Sequence, residues 1–225
     1  MMNKLIIAFF MLMGITATFA KKKEKEQKPT YPYFVHYQDG KTEEYLHCQF
    51  SRDADGALDV SNITHPTSKN WSKIQPDKVK SVTKQITDST FCIYICLDHI
   101  SDIKEKKDLD LSKGEGLAWF VISDVVGKIT VLYWVNMTGS VYVDGDGKPS
   151  TSFLYREDFN KAVSTGSYVG YNLNPKIINA HIKEHEELVN YVNSFKKLPP
   201  RGETRNDFVK RIAMEYNQWY ELQEK

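Results

Sequence analysis

Between residues 31 and 155, short apolar segments alternate with turn-forming residues about every ten positions, and this spacing constrains the fold more than any other feature. Asp39-Gly40 and Asp55-Gly56 mark two of the turns, because glycine accepts the positive φ that tight hairpins need. Segments this short leave no room for helices between them, so each strand pairs with a neighbour in sequence. The pattern therefore predicts an antiparallel β-sandwich or a partly open barrel.

The strongest predicted strand is residues 91–97, which are rich in β-branched and aromatic side chains. Residues 117–126 and 128–135 are almost continuously apolar, which predicts two strands buried on both faces. Weaker strand predictions cover residues 32–38, 41–50, 57–63, 71–74, 79–82, 141–143 and 152–155.

The hydrophobic period changes after residue 173. Asn174 followed by Pro175 predicts a helix N-terminus, and spacings of three and four then continue to about residue 197. Thr204 and Asp207 predict the cap of a second helix that extends to about residue 223. We therefore expect an α+β fold in which residues 31–155 are β-rich. Residues 156–225 form a helical region of the same domain, with a helical hairpin packed on the sheet.

Residues 1–20 have the order of a secretory signal peptide. Lys4 precedes an uncharged apolar run, and the small residues Thr18 and Ala20 end it. The run is about 15 residues, short of the roughly 20 that span a bilayer, so we expect cleavage after Ala20 and no stable membrane span thereafter. Residues 21–30 are charged and lack an apolar pattern, which predicts a disordered linker.

The charge balance argues against two classes of partner, nucleic acids and anionic membrane surfaces. Loss of residues 1–20 removes only Lys4 from 30 basic residues, leaving 29 basic residues against 29 acidic ones. A protein that binds nucleic acid through its overall charge has a basic excess, so nucleic acid is not an expected partner.

The three cysteines are Cys48, Cys92 and Cys96, and export permits a disulfide. Cys92 and Cys96 share one face of a predicted strand, roughly 13 Å apart, beyond the ~7 Å that a disulfide spans. A single bridge would therefore join Cys48 to Cys92 or to Cys96. The alternative is three buried thiols that pack as small apolar side chains.

His181, Glu184 and His185 form an H-x-x-E-H segment on the first predicted helix. Histidines four residues apart lie on one helix face, as zinc ligands do, and the spacing matches that of inverted zinc proteases. His181 and His185 are thus candidate metal ligands, although nothing in the sequence selects a third. Because both also lie on the apolar stripe, helix packing is the alternative, and no other cofactor is expected.

Three weaker motifs do not form a catalytic set. Residues 144–147 resemble part of a calcium loop without the carboxylate that would complete it. Ser167 between glycines misses the nucleophile-elbow spacing by one residue. Cys92 or Cys96 beside His99 lacks a third group to orient the base.

Aromatic residues supply the remaining candidate binding site. Tyr33 and Tyr37 lie on the first predicted strand, and Trp219 and Tyr220 on the last helix. Exposed aromatic side chains favour contact with a protein or a carbohydrate ligand. The alternative is that they fill the core between sheet and helices.

Several short segments occur together with the export signal and the β-rich middle: Asp39-Gly40-Lys41-Thr42, Glu187-Leu188-Val189, Phe208-Val209-Lys210 and Glu215-Tyr216-Asn217. With them the chain resembles a loose group of uncharacterised exported proteins of Gram-negative bacteria. The resemblance implies a periplasmic, envelope-associated or extracellular location and no particular activity.

The leading functional expectation is an exported, non-enzymatic binding or interaction protein of the cell envelope. Two alternatives remain open: a small metal-dependent hydrolase that uses residues 181–185, and a structural subunit of a surface assembly.

Overall fold

A computed structural model of the protein describes residues 31–87, 89–101, 111–166 and 172–225. The predicted signal peptide and linker, and Ser167 of the glycine-flanked segment, lie outside these residues. The strands are β1 Tyr33–Tyr37, β2 Thr42–Tyr45, β3 His47–Phe50, β4 Leu58–Ser61, β5 Ser72–Ile74, β6 Val79–Gln85, β7 Phe91–Ile100, β8 Leu117–Ile122, β9 Thr130–Trp134, β10 Ser152–Arg156 and β11 Lys161–Ser164. The helices are α1 Pro175–Ile182, α2 Glu186–Asn193 and α3 Arg205–Gln223.

Eight strands form one sheet in the order β11-β10-β9-β8-β7-β6-β1-β2, and β3, β4 and β5 form a second, smaller sheet. Strands that are neighbours in this order pair antiparallel. The Asp39-Gly40 hairpin joins β1 and β2 as predicted, with Gly40 at φ 88°.

The large sheet closes on itself at one end. Besides its antiparallel neighbour β10, β11 pairs parallel with β7, where Ala162 lies opposite His99 and Val163 opposite Ile100. Strands β7 to β11 therefore form a partly closed five-stranded barrel, while β6, β1 and β2 extend from it as an open sheet. The predicted α+β class with a partly open barrel is confirmed.

Apolar side chains occupy both faces of the barrel strands. The interior holds Ala118, Phe120, Leu132, Phe153 and Ala162, each at most 5% exposed. Burying a side chain as large as phenylalanine stabilises the folded state by roughly 1.5–3 kcal/mol. This small interior is therefore a packed core that contributes to stability. The opposite face packs against the helices and the small sheet, which explains the near-continuous apolar runs of β8 and β9.

Helices α1 and α3 begin where the sequence predicts, and α3 packs on the sheet. The Asn174 side chain accepts a hydrogen bond from the Lys176 amide at 3.0 Å, and Thr204 Oγ1 accepts one from the Asp207 amide at 3.2 Å. Each cap satisfies an amide that has no partner within the helix. Among the described residues, no helix combines the length and hydropathy of a membrane span.

The long helix predicted to run to residue 197 is interrupted. α1 ends at Ile182, α2 begins at Glu186, and the His185 amide donates to the Ile182 carbonyl at 2.9 Å. In a continuous helix that amide would bond to the His181 carbonyl. The His181 carbonyl instead accepts a hydrogen bond from the guanidinium of Arg156, at the end of β10. Because this tertiary contact occupies the carbonyl that the helical hydrogen bond would use, the helix is interrupted at this point.

β11 lies within residues 156–225, where the sequence predicts helices. Its four residues fill the space between β10 and β7, after a tight turn in which Asn160 adopts φ 51°. A segment this short shows no readable alternation of its own. Residues 31–225 nonetheless form one compact unit.

Candidate functional site

The predicted metal ligands His181 and His185 lie on opposite sides of the helix break. His181 is fully buried, with its Nδ1 2.8 Å from the Ile177 carbonyl and its ring edge-on to Phe159. Burial lowers the pKa of His181 to about 4, so the ring is neutral near pH 7. His185 stacks on Trp219 with 4.7 Å between ring centroids. The interrupted helix therefore lacks the continuous i, i+4 face on which the zinc hypothesis depends.

Glu184, the remaining residue of the motif, belongs to a cluster around the buried side chain of Arg156. The Arg156 side chain is 3% exposed and donates to both carboxylate oxygens of Glu184, at 2.9 and 3.2 Å. It also donates to both oxygens of Asp158, at 2.9 and 2.8 Å. Tyr216 donates its hydroxyl to Glu184 at 2.9 Å. We call Arg156, Asp158, His181, Glu184 and Tyr216 the Arg156 cluster.

The electrostatics of the Arg156 cluster favour a fixed ion pair. Burial alone would raise the pKa of Glu184, but the hydrogen bonds from Arg156 and Tyr216 outweigh it and lower that pKa. A carboxylate held ionised and fully hydrogen-bonded is a poor general acid or base near neutral pH. Among the described residues, no three His, Cys, Asp or Glu side chains converge as a metal ion would require. The cluster joins β10, the α1–α2 connection and α3.

The three cysteines are free thiols in this structure. A bridge from Cys48 to Cys92 or to Cys96 stays a prediction. Burial raises the pKa of Cys48 and of Cys96 to about 12 each, which makes both poor nucleophiles. The Cys96 thiol lies 3.8 Å from the Gly56 carbonyl.

The hypothesis of a thiol–imidazole pair is wrong for Cys96. Strand alternation turns His99 into the barrel, where its ring contacts Phe120 and Trp134, while Cys96 points to the opposite face of β7. The His99 Nδ1 lies 2.7 Å from the Gly116 carbonyl.

The four predicted binding aromatics lie on two elements, β1 and α3. Tyr33 is 7% exposed and packs edge-on against Phe50 in the core. Tyr37 donates its hydroxyl to Glu43 at 2.7 Å. Trp219 stacks on His185, and Tyr220 stacks on the ring of Tyr216. Tyr33 at least serves the core, as the packing alternative proposed.

A groove of about 520 Å³ lies where β6 and β7 separate, and no sequence motif pointed to it. Pairing between the two strands ends at Val82 and Tyr94. β7 then curves into the barrel and meets β11 at His99. The first residues of β6 stay with β1 instead, up to the pair Val79 and Tyr37. The divergence of the two strands opens the groove.

The β6–β7 groove, as we call it, has an apolar floor and a polar rim. Ile95, Leu97 and Tyr155 contribute to the floor, and they also pack against the barrel interior. The lining is completed by Gln38, Pro76, Asp77, Val79, Lys80, Cys96 and Leu117.

The apolar floor continues outward along the same face of β7. Phe91 and Ile93 lie on the same face as Ile95 and Leu97, because every second residue of a strand points to the same side. Their side chains are 51% and 43% exposed. An exposed phenylalanine and isoleucine adjoining an open groove form an apolar surface of the kind that marks binding sites.

The barrel interior does not extend the groove into a cavity. Phe120 and Leu132 are fully buried, and Phe153 is 1% exposed. A ligand therefore has access to the groove beside the barrel, whereas close packing fills the inside.

Comparisons of the chain with protein-family models, with curated proteins and with solved structures found no match.

Proposed function

We propose that this protein is an exported, non-enzymatic binding or interaction protein of the cell envelope, and that the β6–β7 groove is its ligand site. One observation carries the proposal. The groove combines an open apolar floor with polar groups at its rim, which is the usual composition of a ligand site. The side chains suggested by the hydrolase hypothesis are instead engaged within the Arg156 cluster or stacked on Trp219.

The proposed location rests on the apolar run and small residues that end at Ala20. Intact-mass analysis of the protein from its native host tests it. A mass that corresponds to residues 21–225 supports export. The mass of the uncleaved chain contradicts it.

Site-specific photocrosslinking tests the ligand site without knowledge of the ligand. A benzoylphenylalanine placed at Lys80, on the exposed rim of the groove, should capture a ligand in living cells of the native host. The same probe at Lys69, an exposed residue outside the groove lining, is the matched control. A covalent adduct specific to the Lys80 position supports the proposal. Equal adducts, or none, at both positions would refute it.

A further inference from the structure

One edge of β7 has an interruption in its pairing. From Tyr94 to Asp98 the strand pairs with β8 along one edge. Along the other edge, pairing with β6 ends at Tyr94 and pairing with β11 begins at His99. Residues 95–98 therefore have no strand partner on that edge within the described part of the chain.

The backbone direction shows which polar groups face the interruption. The His99 amide donates to the Gly116 carbonyl on the β8 side, at 3.2 Å. In a strand, the amide and carbonyl of one residue point to one edge, and those of the next residue point to the other edge. The backbone groups of Leu97 therefore point to β8, like those of His99, and the backbone groups of Cys96 point to the groove. An unpaired strand edge is a template for another extended chain.

The dimensions and side chains of the groove suit a short guest strand. Four residues of β7 span roughly 13 Å at about 3.3 Å per residue, enough for a guest segment of about four residues. Ile95 and Leu97 point to the same face with Tyr155 beside them. A guest with apolar side chains at alternate positions would pack on that face while its backbone pairs with β7.

The rim charges also fit a polypeptide better than a charged headgroup or a polyanion. Asp77 and Lys80 contribute one charge of each sign, and both are exposed. The barrel interior, which could enclose a lipid chain, is filled by packed side chains. A second copy of this chain could offer β2 as a free edge, but Thr42 and Glu44 are its exposed side chains, and they do not match an apolar floor.

We infer that the groove binds an extended segment of another protein, with apolar residues at alternate positions, which adds to the open edge of β7 between β6 and β11. This inference rests on the proposed function, because it specifies the ligand of the same site.

The test uses the mature chain, residues 21–225, and a random twelve-residue peptide library displayed on phage. Enriched peptides are synthesised, and their affinity is measured by calorimetry. Each is also made with N-methyl groups at alternate backbone amides, which removes strand hydrogen bonds and keeps the side chains. We expect N-methylation in one of the two alternating registers to weaken binding by at least about tenfold.

Hydrogen exchange supplies a measurement that depends on no variant. Peptide binding should slow exchange of the Cys96 amide at least about tenfold, while the Leu97 amide, already directed at β8, changes little. The variant Lys80→Trp, which fills the rim, should weaken peptide binding about tenfold or more, and Lys69→Trp should leave it unchanged.

Each contrary result overturns the inference in a recognisable way. Strand addition is ruled out if the library selection enriches no peptide. It is also ruled out if binding tolerates N-methylation in both registers and leaves hydrogen exchange of the Cys96 amide unchanged. If the Lys80 photocrosslinking probe then captures a lipid or a glycan, the proposed function survives and only the peptide ligand fails. If that probe also captures nothing, both fail.

Discussion

Arg156→Ala should be among the most destabilising substitutions of a polar residue in this protein. The guanidinium holds two carboxylates and the His181 carbonyl, and it lies over the rings of Phe159 and Tyr216. Its removal deletes the side-chain contacts that join β10 to the connection between α1 and α2.

The expected loss can be estimated contact by contact. The side chains of Asp158 and Glu184 are 42% and 37% exposed, so water can replace the guanidinium, and each lost ion pair costs under about 1 kcal/mol. The buried His181 carbonyl loses the guanidinium donor, at a cost of about 1–3 kcal/mol. Lost packing against the two rings adds about 1 kcal/mol. The total is roughly 3 kcal/mol.

Arg211→Ala is the matched control. Arg211 also holds two carboxylates, Glu203 and Glu215, and lies over the rings of Tyr191 and Phe208. Its side chain is 33% exposed and it holds no buried carbonyl, so its loss should cost only about 1–2 kcal/mol. The two arginines thus differ in burial and in the backbone carbonyl that Arg156 holds.

Urea unfolding at pH 7 with a constant m-value measures both losses. For a domain of this size, about 3 kcal/mol corresponds to a fall in Tm of roughly 6–12 °C. Arg156→Lys should recover little, because one ammonium cannot replace the planar fork that reaches both carboxylates. Equal losses in Arg156→Ala and Arg211→Ala would refute the weight given to burial and to the His181 carbonyl.

Three further predictions use the same unfolding measurement. The depressed pKa of His181, about 4 when folded against about 6.5 when unfolded, means that the unfolded chain takes up the proton first as the pH falls. The free energy of unfolding should therefore decline by about 2 kcal/mol from pH 6.5 to 4.5. His181→Gln should remove that part of the pH dependence. An unchanged pH dependence in the variant contradicts the assignment of this effect to His181. Asn217 bonds both the amide and the carbonyl of Ile129 at 2.8 Å, so Asn217→Ala should cost about 2–4 kcal/mol, and a loss below about 1 kcal/mol would count against this link. Gly56→Ala should cost more than about 2 kcal/mol, because φ is 62° and the new methyl group would meet two side chains at 2.7 Å; Gly40→Ala, with no atom within 4 Å, should cost only about 1 kcal/mol.

Much of the fold could be predicted from adjacent residues. Asp39-Gly40 forms its hairpin because glycine adopts the positive φ that the turn requires. The apolar runs of β8 and β9 are buried on both faces, as their composition indicates. Asn174 and Thr204 cap helices because a side-chain oxygen within three residues can reach an unpaired amide.

The candidate site was much less predictable. The spacing of His181 and His185 suggested a metal pair, because a continuous helix would bring them to one face. Arg156, 25 residues earlier in the chain, takes the His181 carbonyl and breaks that helix. The β6–β7 groove carries no motif, because its backbone edge and its apolar floor depend on where β7 changes partners.

The sequence by itself therefore determined the local structures of this protein: the turns, most of the strands, the helix caps and the α+β class. Each depends on residues close together in the chain, where the allowed φ and ψ angles and the apolar period act directly. Only the tertiary structure decided the closure of the barrel between Ala162 and His99, the break between α1 and α2, and the opening between β6 and β7. These features depend on contacts between distant segments, which compete for the same backbone groups and are resolved only when the whole chain packs.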